Sequence, residues 1–284
     1  MKTRNDKGLT LIELLVVLVI SSLLIAGLYR TFIGQQKTYT VQEQVVDMQQ
    51  NARVAINRMM REIRMAGFGN VSMVLPVTFS TGAFNNVVNP DTPVNGSLTI
   101  VTAIGETATL TVSGDLFQNQ ITVSRLTDDQ NNPLFDTGDR KYISIGGLES
   151  YSISSIDNGT RTITLNGTLL FNHPVGTPVF GIRAISYRVG DLNGIPTLIR
   201  NENMGEGDQP QADNIENLQF TYWGDDTNND DIPDPPSTPA DIRMVRVALT
   251  ARTERQDPEL LGVDGYRRRQ IASNIRLRNM GLTL

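Results

Sequence analysis

The sequence predicts an α+β protein in which a long amino-terminal α-helix packs on a carboxy-terminal head of antiparallel β-sheet. No proline interrupts residues 9–66, and this stretch keeps a helical pattern of apolar residues. Beyond Gly69, short runs rich in β-branched residues alternate with turns rich in Gly, Asn and Asp. Strands and helices do not alternate, so a doubly wound parallel sheet is not expected.

The predicted helix has two parts of different character. Residues 9–28 are almost wholly apolar and long enough to cross a bilayer. Farther along, apolar residues recur every three or four positions and form one stripe, which we expect to pack on a sheet of the same chain. Gly67 and Gly69 are predicted to end the helix. The stripe consists of Val41, Val45, Met48, Ala52, Ile56, Met59, Ile63 and Ala66.

The remainder of the chain is predicted to be β-structure. Two hairpins are expected, with turns at residues 157–159 and 190–194. Residues 70–180 are predicted to form a β-rich insertion, and residues 181–284 the sheet that receives the helix. The candidate strands are residues 98–101, 121–123, 142–145, 151–156, 160–165, 179–189, 197–200, 218–223, 242–253 and 268–278.

Composition narrows the functional classes. The net charge of −5 argues against a nucleic-acid-binding surface. The chain has no cysteine, which excludes disulfides, thiol catalysis and thiolate metal sites. The only histidine, His173, is predicted to be a structural residue in a turn. We therefore predict no catalytic residues and no enzymatic activity.

Glu13 is the one acidic residue inside the apolar stretch. A charge in a bilayer costs roughly 3 kcal/mol, so Glu13 needs a partner. Cleavage after Gly8 would create one, because it would expose the α-amine of Leu9. Between neighbouring helices, this amine and the Glu13 carboxylate could pair directly.

This arrangement resembles the type IV prepilin signal, with a basic leader, a glycine and a glutamate at the fifth mature position. The resemblance implies that a prepilin peptidase cuts between Gly8 and Leu9 and that Leu9 is then methylated. Residues 1–8 would be the leader peptide, and residues 9–69 the helix, with residues 9–28 crossing the membrane. Leu9 departs from the more usual phenylalanine.

Two other interpretations fit the same segment less well. A secretory signal peptide has a shorter apolar core and a small-x-small cleavage site, for which residues 21–23 are a poor match. A plain signal anchor fits the length, and Lys2, Arg4 and Lys7 would hold the amino terminus in the cytoplasm. A plain anchor does not explain Glu13.

The order of features resembles the PilW-like minor pilins, with the J-type minor pseudopilins of type II secretion as close kin. The resemblance implies a non-enzymatic subunit of a type IV pilus filament or tip complex, with roles in assembly, adhesion or motility. A pseudopilin or a tip adhesin remains an alternative. The residues that carry the resemblance are 39–43, 61–69, 185–188, 197–200, 252–254, 265–268 and 275–279.

The resemblance also implies partners and a location. The expected partners are other major and minor pilins, the prepilin peptidase, membrane lipid before assembly, and an inner-membrane assembly platform. The chain has no phosphate-binding glycine loop, so the assembly ATPase must be a separate protein. The protein would sit in the bacterial inner membrane with a cytoplasmic amino terminus and a periplasmic or external head, and then enter the pilus.

An acidic turn after one predicted strand is a candidate calcium site. Oxygen-bearing residues alternate there as they do in an EF-hand loop. The loop departs from that pattern at Asp231, where glycine is usual, and at Ser237, where a bidentate glutamate is usual. The alternative is a solvated acidic turn. The candidate ligands are Asp226, Asn228, Asp230, Asp234 and the carbonyl of Ile232.

Overall fold

A computed structural model describes residues 10–91, 96–103, 108–226, 234–257, 259–260 and 264–280. It confirms the predicted α+β class, with one long amino-terminal helix and antiparallel β-sheets. Contacts divide the chain into two units. One comprises the residues up to Asp47 together with Thr253–Arg267, and the other comprises Met48–Arg252 together with the residues from Arg268 onward.

The helix, α1, spans Leu11–Arg64. In the last turns of α1 the residues of the predicted apolar stripe are buried, which confirms the prediction for this part of the stripe. Val41 and Val45, at the start of the stripe, are only partly buried. From Met48 onward every residue of the stripe is buried, and Ala55, which is not part of the stripe, is buried beside them. The buried stripe residues are Met48, Ala52, Ile56, Met59, Ile63 and Ala66.

The helix ends at Arg64, which is two residues before the end of the predicted helical pattern at Ala66 and five before residue 69, where the predicted helix segment ends. After Arg64, N–H groups bond three residues back instead of four, as from Ala66 to the Ile63 carbonyl at 3.1 Å. Gly67 and Gly69 then adopt φ values of +80° and +90°. A Cβ on Gly69 would stand 2.4 Å from a neighbouring alanine Cβ, so only glycine fits there.

The regular structure of the described head consists of antiparallel strands and two short 3₁₀ turns. The strands begin after a 3₁₀ turn at Val71–Val74, and a second 3₁₀ turn spans Pro239–Asp241. The strands are β1 Val77–Phe79, β2 Gly82–Phe84, β3 Val88–Pro90, β4 Ser97–Ala103, β5 Ala108–Thr109, β6 Gln120–Thr122, β7 Tyr142–Ile145, β8 Glu149–Asp157, β9 Thr162–Leu165, β10 Pro178–Leu192, β11 Ile195–Asn201, β12 Gln209–Asp213, β13 Ile215–Trp223, β14 Met244–Arg252 and β15 Arg268–Arg276.

All described strand pairs are antiparallel. A large sheet runs in the order β12-β11-β10-β7-β8-β9-β6, with β4 and β5 also on β10 and with β3 on β4. A second sheet runs β13-β14-β15, and β1 and β2 form a separate hairpin. The alternating burial along β14 shows that one face of the second sheet points inward.

Strand β10 is shared between two regions of the large sheet. Its first residues pair with β5 and β7, and its later residues pair with β4 and β11. It therefore runs across residue 180, where the sequence places a domain boundary. That division between residues 70–180 and 181–284 stays a prediction. A buried apolar cluster within the earlier region comprises Ala108, Leu110, Ile121, Val123, Phe135, Ile143, Ile145, Tyr151, Ile153, Ile163, Leu165, Leu169 and Val179.

Candidate functional site

The start of α1 is capped by Thr10 and Glu13. Thr10 donates its backbone N–H and its hydroxyl to Oε2 of Glu13, both at 3.0 Å, and the Glu13 N–H bonds back to Thr10 Oγ1 at 3.3 Å. This reciprocal arrangement is a capping box, and it satisfies backbone donors that a helix start leaves free. Gly8 and Leu9, the predicted cleavage and methylation residues, lie outside the described residues.

The Glu13 carboxylate can bind a second partner. The three bonds to Thr10 use Oε2 and the backbone N–H of Glu13, so Oε1 has no partner among the described residues. An ionised carboxylate accepts several hydrogen bonds through its two oxygens. The cap therefore orients Glu13 at the start of the helix while leaving one oxygen able to meet a cation.

The helix around Glu13 presents apolar side chains outward. Leu11 is 84% exposed, and the exposed apolar residues continue as far as Phe32. This stretch is long and apolar enough to cross a membrane, and none of it is buried by the rest of the described chain. Such exposure in a polar solvent is unfavourable, so lipid or other helices must cover this part of α1.

Two of the five candidate calcium ligands fall in the part of the chain that the structure describes. Asp226 and Asp234 stand on the two sides of the acidic turn, where Gly224 N–H donates to the Asp234 carbonyl at 2.7 Å. Asp225, which is not among the candidates, pairs with Arg243 at 3.1 Å. Asn228, Asp230 and Ile232 lie outside the described residues. Within the described ranges, no three His, Cys, Asp or Glu residues are grouped closely enough to hold a metal.

A buried ionic network joins the end of α1 to the large sheet, and it was not predicted. Arg200 is 2% exposed and pairs with Glu62 at 3.0 Å and with Glu202 at 2.6 Å. The Tyr187 hydroxyl donates to Glu62, and Arg183 pairs with Glu202. Burial, the charge of Glu62 and this hydrogen bond raise the pKa of Tyr187. Burial alone would raise the pKa of Glu202, but Arg183 and Arg200 outweigh it and lower that pKa.

His173 belongs to a second buried network, inside the β-rich region. It is 2% exposed and lies in a bridge with Gly114, one residue before a turn and not within it. Its Nε2 is 2.5 Å from Oε1 of Glu149, which is fully buried. The Tyr151 hydroxyl donates to the same carboxylate at 2.7 Å. His173 and Glu149 are 24 positions apart, so no local spacing could reveal their contact.

Comparison with known proteins gives one match. Residues 3–29 match the family described as the prokaryotic N-terminal methylation motif. No curated protein and no solved structure matches the chain. The motif supports a type IV pilin-type or pseudopilin-type protein, which is a prepilin-like substrate of prepilin peptidase. It points to a structural protein and not to an enzyme, and it fits a membrane-anchored chain.

Proposed function

We propose that this protein is a minor type IV pilin that is cut after Gly8, methylated at Leu9 and incorporated into a pilus or its tip complex. The observation that carries the proposal is the methylation motif at residues 3–29, which overlaps the exposed apolar start of α1. A helix of this kind can move from lipid into a bundle of like helices, because both surroundings cover its apolar surface.

In this proposal, Glu13 determines the axial register between neighbouring subunits. The amine created at Leu9 on one subunit pairs with the Glu13 carboxylate of its neighbour. The capping bonds from Thr10 support the role, because they fix the carboxylate at the start of the helix. The pair is stabilised in an apolar environment only when both charges are present, so it favours one axial position over others.

A PilW-like identity is the finer part of the proposal. The resemblance depends on separate segments at residues 61–69, 185–188 and 197–200. Each of these segments contributes one member, Glu62, Tyr187 or Arg200, to the buried network at the end of α1. Contact among residues from the resembling segments supports a shared way of joining the helix to the head.

The proposed partners follow from this cycle. They are the prepilin peptidase, other major and minor pilins, inner-membrane lipid before assembly, and an assembly platform driven by a separate ATPase. The protein would wait in the inner membrane with a cytoplasmic amino terminus and an exported head. A minor pseudopilin of type II secretion is the alternative, because the same motif serves both assemblies.

Two variants test the assembly role of Glu13. Glu13→Ala removes the cap and the charge, whereas Thr10→Val removes the hydroxyl contributed to the cap and keeps the carboxylate. We expect both to be cleaved after Gly8. Glu13→Ala should lower incorporation into purified pili at least about tenfold, as expected for loss of a well-placed ion pair, while Thr10→Val should incorporate nearly as the wild type does. Normal incorporation of Glu13→Ala would refute the pairing role, and equal loss in both variants would assign the effect to the cap.

A further inference from the structure

Two adjoining segments of the β-rich region carry exposed apolar side chains. The segments are residues 110–118 and 169–177, and six of their large apolar side chains are between 41% and 72% exposed. An exposed apolar group of this size on a rigid surface marks an interaction site more often than an isolated exposed residue does. We call these side chains the Phe117 patch: Val112, Leu116, Phe117, Leu170, Phe171 and Val175.

The two segments are joined along their length by backbone hydrogen bonds. Gly114 and His173 exchange bonds of 2.9 and 2.8 Å. The Phe117 N–H donates to the Leu169 carbonyl at 2.9 Å, and the Leu169 N–H donates to the backbone carbonyl of Gln118 at 2.7 Å. A Cβ on Gly114 would be 2.8 Å from Cδ1 of Leu169, so the glycine permits this close approach.

The first segment is held rigidly where it turns. Asp115 N–H donates to the side-chain oxygen of Gln118 at 3.1 Å, and Leu116 N–H donates to the side-chain oxygen of Asn172 at 2.8 Å. Gln118 N–H returns to the Asp115 carbonyl at 3.1 Å. Every backbone N–H from 114 to 118 therefore has a partner, and little conformational entropy remains to be lost on binding.

Phe117 is the central residue of this turn and adopts an unfavourable conformation. Its φ is +70°, in the left-handed region that favours glycine and asparagine. Its side chain is 72% exposed, so burial within the chain offsets little of the cost. Folding alone would be served better by glycine or asparagine at this position, which suggests that the phenyl ring acts on something outside the chain.

The second segment is held in place by the buried network of Glu149, His173 and Tyr151. Oε2 of Glu149 accepts the Leu170 N–H at 2.8 Å, while Oε1 faces His173 at 2.5 Å. The Tyr151 hydroxyl lies 2.7 Å from both this carboxylate and the Thr168 carbonyl. The fully buried Glu149 carboxylate thus fixes two points of the segment, at Leu170 and His173, and Tyr151 holds Thr168 just before it. The patch is therefore pre-organised on both sides.

The two segments that carry the patch are almost uncharged. Asp115 is the only acidic residue in residues 110–118 and 169–177, and neither segment contains Lys or Arg. A surface that bound anionic lipid would be expected to carry basic residues beside its apolar ones. The chemistry favours a protein surface that is itself apolar and uncharged.

The size of the patch limits the kind of contact. The patch has six large apolar side chains. A standard stable interface uses roughly 20–30 residues from each partner. The contact must therefore be supplemented by another one between the same two proteins.

We propose that the Phe117 patch is a lateral docking surface for a different pilin-type subunit, one that presents an uncharged apolar face and is held in the same assembly through α1. This inference rests on the proposed function and adds a partner-binding surface to it. The helices would supply most of the association energy, and the patch would select which subunit stands beside the head.

Because the chain has no cysteine, a single introduced thiol reports one position. The full-length Val175→Cys protein is produced in pilus-assembling cells and labelled with a thiol-reactive benzophenone. After irradiation, its cross-linked peptides are identified by mass spectrometry. Leu192→Cys, an exposed position on the β10–β11 hairpin, is the matched control. We expect Val175→Cys, but not Leu192→Cys, to cross-link an uncharged apolar peptide of another protein that carries its own prepilin motif.

Phe117→Asn separates binding from folding. Asparagine tolerates the φ of +70°, so the melting temperature should stay equal or rise. The cross-link from Val175→Cys should fall about tenfold, as expected for loss of a central aromatic contact. Cross-linking only to lipid, only to a second copy, or with a yield that Phe117→Asn does not change would overturn the proposal. So would a marked drop in melting temperature, since Phe117 would then serve folding.

The same samples distinguish failure of the docking surface from failure of the proposed function. The mass of the mature amino terminus is measured in the Val175→Cys protein. A chain that starts at Met1 contradicts the pilin proposal, whatever the cross-links show. A chain that starts at Leu9 but gives no subunit cross-link overturns the docking surface alone.

Discussion

Arg200 on β11 donates its Nε–H to Oε2 of Glu62 on α1 at 3.0 Å, with the guanidinium almost completely buried. The two residues are 138 positions apart in the chain. Glu62 also receives the Tyr187 hydroxyl, so one carboxylate joins the last turn of α1 to β10 and β11. A buried cation depends on its partners because desolvation penalises an unpaired charge.

Glu62→Ala is expected to destabilise the head by about 3 kcal/mol, because it leaves Arg200 buried with only Glu202 as a counter-charge. Arg61→Ala, one residue earlier and exposed, should change stability by no more than about 0.5 kcal/mol. Denaturant unfolding of the full chain in detergent, followed by fluorescence of the only tryptophan, Trp223, measures both. Similar losses in the two variants would show that the ion pair does not hold the helix end.

The turn between β8 and β9 should show a pH-dependent stability. The Thr160 hydroxyl, and then the N–H groups of Gly159 and Thr160, hold the pKa of Asp157 below its usual range. A lowered pKa means that the carboxylate stabilises the fold above the ordinary value near 3.9, and that this contribution is lost as pH falls through the lowered pKa. Asp157→Asn should melt below the wild type at pH 7.

The difference in melting temperature between wild type and Asp157→Asn should shrink as the pH falls from about 4 toward the lowered pKa of the folded state, because the carboxyl of the unfolded chain takes up its proton first. Thermal melts monitored by circular dichroism from pH 7 to pH 3 measure it. Asp129→Asn is a suitable control, because this exposed carboxylate lies in another loop of the same region. A difference that stays constant over the whole range would contradict the assignment to Asp157.

The sequence predicted those parts of the fold that local pattern determines. Residues 142–145 match β7 residue for residue, because alternating Ile and a bounding glycine mark both the strand and its end. The hairpin at Asp157-Asn158-Gly159 joins β8 and β9 as predicted. At the second hairpin, β10 continues to Leu192, beyond the predicted end of the strand at residue 189. Asn193 and Gly194 alone supply the positive φ values that the turn needs.

Other strands carried too little local signal. β1, β2, β3 and β5 have two or three residues each, and both β3 and β12 contain proline. The pairing of β5 is determined by a neighbour that is distant in sequence, because β5 pairs with the start of β10. A sequence window cannot contain such partners, so tertiary context decides.

The candidate site was predicted only in part. Thr10 and Glu13 have the spacing of a capping box, which is a signal that the sequence alone contains. The contacts Glu62–Arg200 and Glu149–His173 join residues that no short motif connects. The exposure of Phe117 at a positive φ likewise depends on a backbone bond to Leu169, which only the fold supplies.

We propose that the acidic turn binds calcium through Asp226, Asn228, Asp230, Asp234 and the Ile232 carbonyl. The bond between Gly224 and Asp234 supports this, because it closes the turn at its base. Calcium should release or absorb heat on titration into the full chain in detergent, and should raise its melting temperature. Asp226→Asn combined with Asp230→Asn should abolish both effects. Absence of heat and of any shift in the wild type would remove the calcium site.

The most direct test of the whole account is the mass of the mature protein's amino-terminal peptide, isolated from cells that make the pilus. Cleavage after Gly8 creates the amine that Glu13 needs, and the methylation motif covers this region. The account predicts a chain that begins at Leu9 and carries one methyl group on its α-nitrogen. A chain that retains Met1, or that begins at any other residue, would contradict it.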